Sequence, residues 1–281
     1  MNAVNDSRPT IAVQLTQLAL VEARGADAAA FLQGQLSNDV RQVTAERAQL
    51  SSYNSPKGRM LAVLHVLRDA GGDGFWLELP RSLLEATLKR LRMYVLRSKV
   101  TLAEAAGLAL FGVAGPDAPV VISQLGLPAP TAALECARAG GITVMRRLGE
   151  VPRYGLVVPA AEADALWHRL SQLAVAADDV AWRRTDIEAG VPTVFPETQD
   201  RFVAQMCNLE QLGGISFDKG CYTGQEVIAR VHYRGAVKRH MTRVQLEGPA
   251  PPPGSRLESG EVVDAVARPE GGSIALVVSA P

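Results

Sequence analysis

The chain has 281 residues, enough for about two domains at roughly 100–200 residues each. With 47% hydrophobic and 21% charged residues it is globular, not disordered or fibrous. Its 29 basic and 29 acidic side chains cancel to zero net charge, which argues against a dedicated nucleic-acid binder and leaves room for local basic patches only.

The N-terminus, residues 1–10, is polar, is expected to be flexible, and carries no signal or transit pattern. From Ile11 to Glu22 the residues have a strand-like bias, broken by Gly25-Ala26-Asp27. Asp27 is a good N-cap for a helix from Ala28 to Leu36. Arg47–Asn54 and Arg59–Leu67 read as strands joined by the turn Ser55-Pro56-Lys57-Gly58. A strand Phe75–Leu79 follows, and Pro80 opens a helix over Arg81–Tyr94 with Leu83, Leu84, Leu88 and Leu91 at helical spacing.

A second, similar passage begins near Ala109: a strand to Val113, a helix start at Gly115-Pro116-Asp117, strands near Ile142–Arg147 and Tyr154–Val158, and a helix over Ala160–Leu173. A further helix, Asp179–Ala189, is stopped by Gly190-Val191-Pro192. Beyond Lys238 only alternating strands remain: Met241–Leu246, Val262–Val266 and Ile274–Val278. The pattern is α+β. It divides into 11–105, 106–237 and a small all-β unit at 238–281 that is too short to stand alone.

Chemistry concentrates between Gly213 and Glu226. Thr223 and Glu226 have capping-box spacing, which predicts a helix starting at Thr223 with Cys221 just outside its N-terminus. Unpaired amides there and Lys219 nearby favour a thiolate. Two readings of Cys221 stand on these residues: a reactive thiol or a small buried hydrophobe. Cys136 and Cys207 have no such surroundings. The three cysteines form no C-x-x-C pair and have no histidine at ligand spacing, so a metal site held by this chain is not expected. No apolar run approaches the roughly 20 residues of a spanning helix, and a soluble, reducing compartment, the cytoplasm, is expected with no membrane partner.

The stretch FDKGCYTGQEVIAR, Phe217 to Arg230, resembles the signature of the YgfZ-type folate-binding proteins, relatives of the aminomethyltransferase T-protein of the glycine cleavage system. GADAAAFLQGQLSNDV (Gly25–Val40), SPKGRM (Ser55–Met60), SKVTL (Ser98–Leu102), IEAGVP (Ile187–Pro192) and NLEQLGGISF (Asn208–Phe217) match in the same order. The resemblance implies a ring of α+β domains around a central cavity holding tetrahydrofolate, and a small C-terminal β-barrel.

It implies further that Cys221 and Lys219 are the reactive pair, within a motif completed by Gly220, Tyr222, Thr223, Gly224, Gln225 and Glu226. Trp182 falls on a family tryptophan able to stack on a pterin, and Glu188 on an acid able to accept from the pterin edge. Six residues apart on a helix, these two are about 600° of rotation apart. They therefore share a ligand only if the helix starts after Trp182. Read without the resemblance, Trp182 is a core aromatic and Glu188 a solvated helix-end acid.

Leu18 stands where bacterial members carry a second tryptophan, so one wall of the folate site differs here. Ala62 and Val63 stand where true aminomethyltransferases have carboxylates, which removes the acid/base partner of one-carbon transfer. The function implied is a folate-binding accessory role in making or repairing iron–sulfur clusters of client enzymes, tRNA-modifying ones included. Its partners would be those client or assembly proteins, with no direct nucleic-acid contact. A tetrahydrofolate-dependent one-carbon transferase or demethylase is the alternative. Lys89, Arg90, Arg92, Arg97 and Lys99 form a basic run that reads as a solvated helix face or as a steering surface for an anion.

Overall fold

The computed structural model describes residues 9–235 and 237–280. The expected flexible N-terminus therefore lies mostly outside the described residues. Its last residue, Thr10, is buried, and its carbonyl accepts the Val175 amide at 2.9 Å.

In chain order the first elements are β1 (Ile11–Gln14), β2 (Leu18–Arg24), α1 (Ala28–Gln33), β3 (Gln49–Asn54), β4 (Met60–Arg68), β5 (Gly74–Pro80), α2 (Leu84–Arg92) and β6 (Thr101–Glu104). Then come β7 (Leu108–Ala114), α3 (Ala118–Gln124), β8 (Cys136–Ala139), β9 (Ile142–Arg146), β10 (Arg153–Pro159), α4 (Ala163–Leu173) and β11 (Val175–Ala177). The chain finishes with α5 (Asp179–Glu188), α6 (Gln225–Arg234), β12 (His240–Leu246), β13 (Arg256–Leu257), β14 (Gly260–Ala267) and β15 (Ser273–Ser279).

The two passages fold by one plan, strand–helix–three strands–helix–strand. The first makes the sheet β3-β4-β5-β2-β6 and the second the sheet β8-β9-β10-β7-β1-β11. Equivalent strands occupy equivalent places, except that β1 is inserted between β7, to which it is antiparallel, and β11, to which it is parallel. The expected strand Ile11–Glu22 is thus two strands in two sheets. A tight turn parts them, with Thr16 N bonding Gln14 O and Leu18 N bonding Leu15 O.

Helix α1 stops three residues short of its expected end. Asp27 does precede it, but its carboxylate accepts the Lys99 amide at 2.6 Å and caps no helix amide. In the left-handed φ region Gly25 (φ 129°) and Gly115 (φ 139°) make the same turn in each passage, each pressed against backbone that a Cβ would strike.

The C-terminal strands form an open sheet, β12-β15-β14-β13. Its two end strands, β12 and β13, do not pair among the described residues, which corrects the expected barrel. Two-residue β13 is too short to close one. This sheet shares its core with the first passage: Val263, Val266, Ile274, Leu276 and Val278 join Leu50, Leu64 and Leu77 in one cluster. A second cluster lies under α3 and α4, and a third, with Val13, Leu20, Trp76, Leu110 and Trp182, fills the space between the two larger sheets. Among the described residues no helix is long and apolar enough to cross a membrane.

The C-terminal sheet is also tied to α5 by an ion pair, Arg183 to Asp264. Asp264 is 1% exposed and its Oδ2 has no hydrogen-bond partner among the described residues. Burial outweighs the arginine and lifts its pKa from 3.8 to about 6. An acid held above its unfolded pKa favours the folded state while both forms are protonated, and that stability is lost as pH rises through about 4 to 6. At about 1.4 kcal/mol per pH unit, the loss is about 3 kcal/mol. Asp264→Asn is expected to flatten this segment of the curve of urea-unfolding free energy against pH. An unchanged slope in the variant would refute the assignment.

Candidate functional site

The motif loop is built against the Leu36–Asn38 segment that follows α1. Ser216 N donates to Ser37 O at 3.0 Å, Ser37 Oγ donates to Gly214 O at 2.7 Å, and Asn38 Nδ2 donates to Gly213 O at 2.7 Å. Lys219 completes the stitching, its Nζ donating to Leu36 O at 2.6 Å and Asn38 O at 2.8 Å above the Tyr222 ring. It is 6% exposed, and burial pushes its ammonium down to about 8. Its amine is thus committed to backbone carbonyls, so Lys219 clamps the loop. Asp39 caps the short turn after Asn38, and its side-chain bond to Arg41 holds its carboxyl at about 2.

The helix expected from Thr223 starts at Gln225, which corrects the capping box. The N-cap is Gly224, in the left-handed region at φ 83°, and no side chain caps this end. The left-handed turn takes Thr223 out of register with the helix amides; Gln225 Oε1 instead accepts the Tyr222 amide at 3.3 Å. A Cβ on Gly224 would stand 2.5 Å from Ser55 O, and one on Gly58 2.7 Å from Val227 Cβ. The SPKG turn and the start of α6 therefore meet backbone to backbone. Glu226 is exposed on the first turn of α6.

Cys221 is exposed in this stitched loop, three residues before the N-cap, next to exposed Gly220. The other two thiols are buried: burial pushes Cys136 up to about 11 and Cys207 further. Of the three, only Cys221 can meet a partner. Among the described residues no group of three His, Cys, Asp or Glu side chains is placed to hold a metal.

Helix α5 is continuous through Trp182 and Glu188, so the two side chains leave it in different directions. Trp182 is 2% exposed and lies over Gly112, where a Cβ would collide with its ring; its Nε1 has no partner among the described residues. Glu188 sits at the helix end, ion-paired to Arg184 at 3.8 Å, with its carbonyl accepting from Arg243. Leu18 packs on the cluster that contains Trp182 and lines a cavity of about 400 Å³ between the two sheets. Leu110 and Phe111 form its other walls, and Glu104, Arg81 and Asp164 supply polar groups. The structure thus gathers Leu18 and Trp182 in one cluster and leaves Glu188 outside it.

A buried polar network lies beside Trp182. Arg147, 2% exposed, donates to Glu78 Oε2 at 2.6 Å and lies 3.1 Å from His65 Nδ1, and its guanidinium stands 5.6 Å from the Trp182 ring centre. Burial, then Arg147, push the His65 pKa down, so the imidazole is neutral and accepts from the arginine. Arg153 bonds Thr185 and Asp186 on the same helix. In the sequence the four histidines form no metal pattern, and His65 reads as a surface or packing residue. The signal for its partners is two charged residues in apolar surroundings, Glu78 inside β5 and Arg147 directly after β9.

This arrangement, with 97% of the chain aligned, has the fold of an aminomethyltransferase: the T protein of the glycine cleavage system from Bartonella henselae superposes with a TM-score of 0.77 at 17% identity, over 78% of that chain. No protein-family model matches the sequence. Curated relatives do: the tRNA-modifying protein YgfZ of Escherichia coli O127:H6 is 37% identical over 255 residues, 90% of this chain and 76% of its own. The protein of that name from Escherichia fergusonii is 37% identical over 232 residues, 82% of this chain and 70% of its own. The chain belongs to the YgfZ family.

Proposed function

We propose that this protein is a folate-binding accessory factor that supports synthesis or repair of iron–sulfur clusters in client enzymes, with tRNA-modifying enzymes among its clients. The observation that carries this reading is Cys221: one exposed thiol on a loop fixed by five inter-segment hydrogen bonds to residues 36–38, while the other thiols are buried. The curated relatives' name supports the tRNA connection.

The Leu18-lined cavity fits a flat, partly polar heterocycle. Its volume of about 400 Å³ lies in the range of small-ligand sites, its walls mix apolar side chains with polar ones, and the Glu104 and Asp164 carboxylates can accept from pterin N–H groups. A bound tetrahydrofolate supplies one-carbon carrier chemistry. The chain's own part is to hold it, with Leu18, Leu110 and Phe111 against its faces and the carboxylates setting its orientation. A ring of domains around that cofactor is part of the same reading. One-carbon transfer lacks its carboxylate, because Ala62 and Val63 are buried apolar residues of β4.

Cys221→Ala is expected to keep the fold and tetrahydrofolate binding, yet to abolish support of iron–sulfur enzyme activity under oxidative stress in cells lacking the native protein. Calorimetry with tetrahydrofolate tests the cofactor separately. Full rescue by the variant would overturn the role of the thiol, and absence of binding would overturn the role of the cofactor.

A further inference from the structure

A second cavity, of about 280 Å³, lies on another part of the molecule, between α2, Tyr53 of β3 and Gln199. It is lined by Lys89 and Arg90 from the basic run, by Tyr53, and by the apolar groups of Leu61, Ala86 and Met93; none of its lining residues is acidic. Arg81, just before the helix, pairs its charge with Glu104. Neither Lys89 nor Arg90 ion-pairs with a carboxylate among the described residues.

Tyr53 adds an independent observation. It is 1% exposed, and its hydroxyl, beside the Arg90 guanidinium, forms no well-aligned hydrogen bond among the described residues. Arginine can only donate, so the hydroxyl's proton has no acceptor among the described residues, and a ligand oxygen can supply one. Burial pushes the phenol up to about 12, so at neutral pH it keeps its proton and can donate. Met93, 62% exposed at the cavity edge, leaves apolar surface for the body of a ligand.

We infer that this cavity is a binding site for a small organic anion, whose carboxylate or phosphate is taken by Lys89, Arg90 and the Tyr53 hydroxyl while its carbon skeleton lies on Leu61, Ala86 and Met93. Two cations and a neutral donor match an oxyanion's several acceptor sites. The volume, just under the roughly 300–1,000 Å³ of drug-sized sites, limits the ligand to a compact molecule. The site is separate from the Leu18 cavity, shares no residue with it, and goes beyond the proposed function.

The test is titration of the full chain with glutarate and, separately, with inorganic phosphate, followed through the NMR signals of the Met93 methyl and the Tyr53 ring. Both signals are expected to shift saturably with at least one of the two anions, and the response identifies a carboxylate or a phosphate ligand. Lys89→Gln should weaken binding about threefold and Arg90→Gln tenfold or more. Lys89 is exposed and unpaired, so its variant should unfold at the wild-type temperature and report on binding alone. No saturable shift with either anion, equal binding by both variants, or response only to a short RNA would each overturn the inference.

Discussion

Replacing Arg147 by methionine is expected to cost about 3–5 kcal/mol of folding free energy, the range found when one partner of a buried ion pair is removed. Glu78 is 4% exposed and its partner 2%. Burial alone would raise the Glu78 pKa; the Arg147 charge overrides this and holds it at about 2. Without the guanidinium the carboxylate is left charged in an apolar setting and takes up a proton instead.

The sign of the pH dependence then reverses. In the native protein Glu78 contributes stability that is present above pH 4.5 and lost as pH falls toward 2; in the variant stability falls as pH rises past 4.5. Converting Glu78 to Gln in the same chain should recover most of the loss, because the uncompensated charge is gone. Urea unfolding at pH 4 and 7 measures both effects. An Arg147→Met protein within 1 kcal/mol of wild type would show that the network is not closed to water.

Gly224→Ala is the second large effect, a destabilisation of about 2–5 kcal/mol. Roughly 1–2 of this is the cost of a side chain in the left-handed region, and roughly 1–3 the cost of forcing a methyl into a packed contact. The contact is with Ser55 O at 2.5 Å and Gly58 Cα at 2.8 Å, both in the SPKG turn, so the loss should appear as faster amide exchange at Gly58 and along α6. Thr223→Ala is the matched control. A working capping box would cost about 1 kcal/mol on its loss; a threonine that caps nothing should cost within about 0.5 kcal/mol. Thermal or urea unfolding of the two variants decides between the boundaries.

What the sequence conveys well is local. Leu84, Leu88 and Leu91 are buried along the second helix and Leu83 in the turn that leads into it, as their spacing requires. The Gly-x-Asp openings at Gly25 and Gly115 mark the same turn in both passages. The order of strands and helices is sufficient for α+β. What it conveys poorly is anything decided by a partner far along the chain. The destination of Ile11–Gln14 depends on β7 and β11, more than 90 residues away. Asp27 looks like a cap because capping is local, yet it serves Lys99 across the fold.

The site divides in the same way. Cys221 stood out because its glycine-flanked setting is a sequence property, and it is indeed the exposed thiol. Lys219 was placed beside that thiol by sequence proximity alone. Its long side chain turns instead to two carbonyls about 180 residues distant. The helical-rotation conflict between Trp182 and Glu188 was legible beforehand, and the continuous α5 settles it by pointing them apart.

The inserted strand β1 sets an order of events during synthesis. Its partner β11 ends at Ala177, and at about 5–20 residues per second the ribosome needs on the order of 10–30 s to reach it after β1 has emerged. The first sheet, β2 to β6, can close in that interval, and β1 can pair with β7, whereas the other edge of β1 stays unpaired until β11 is made. Residues 11–14, made before either strand they join, are thus paired on their second edge only when β11 arrives, and until then that edge is open to mispairing. A chain shortened past Gln14 would lose both pairings and leave β7 facing β11, the arrangement in which β2 and β6 pair directly in the first sheet.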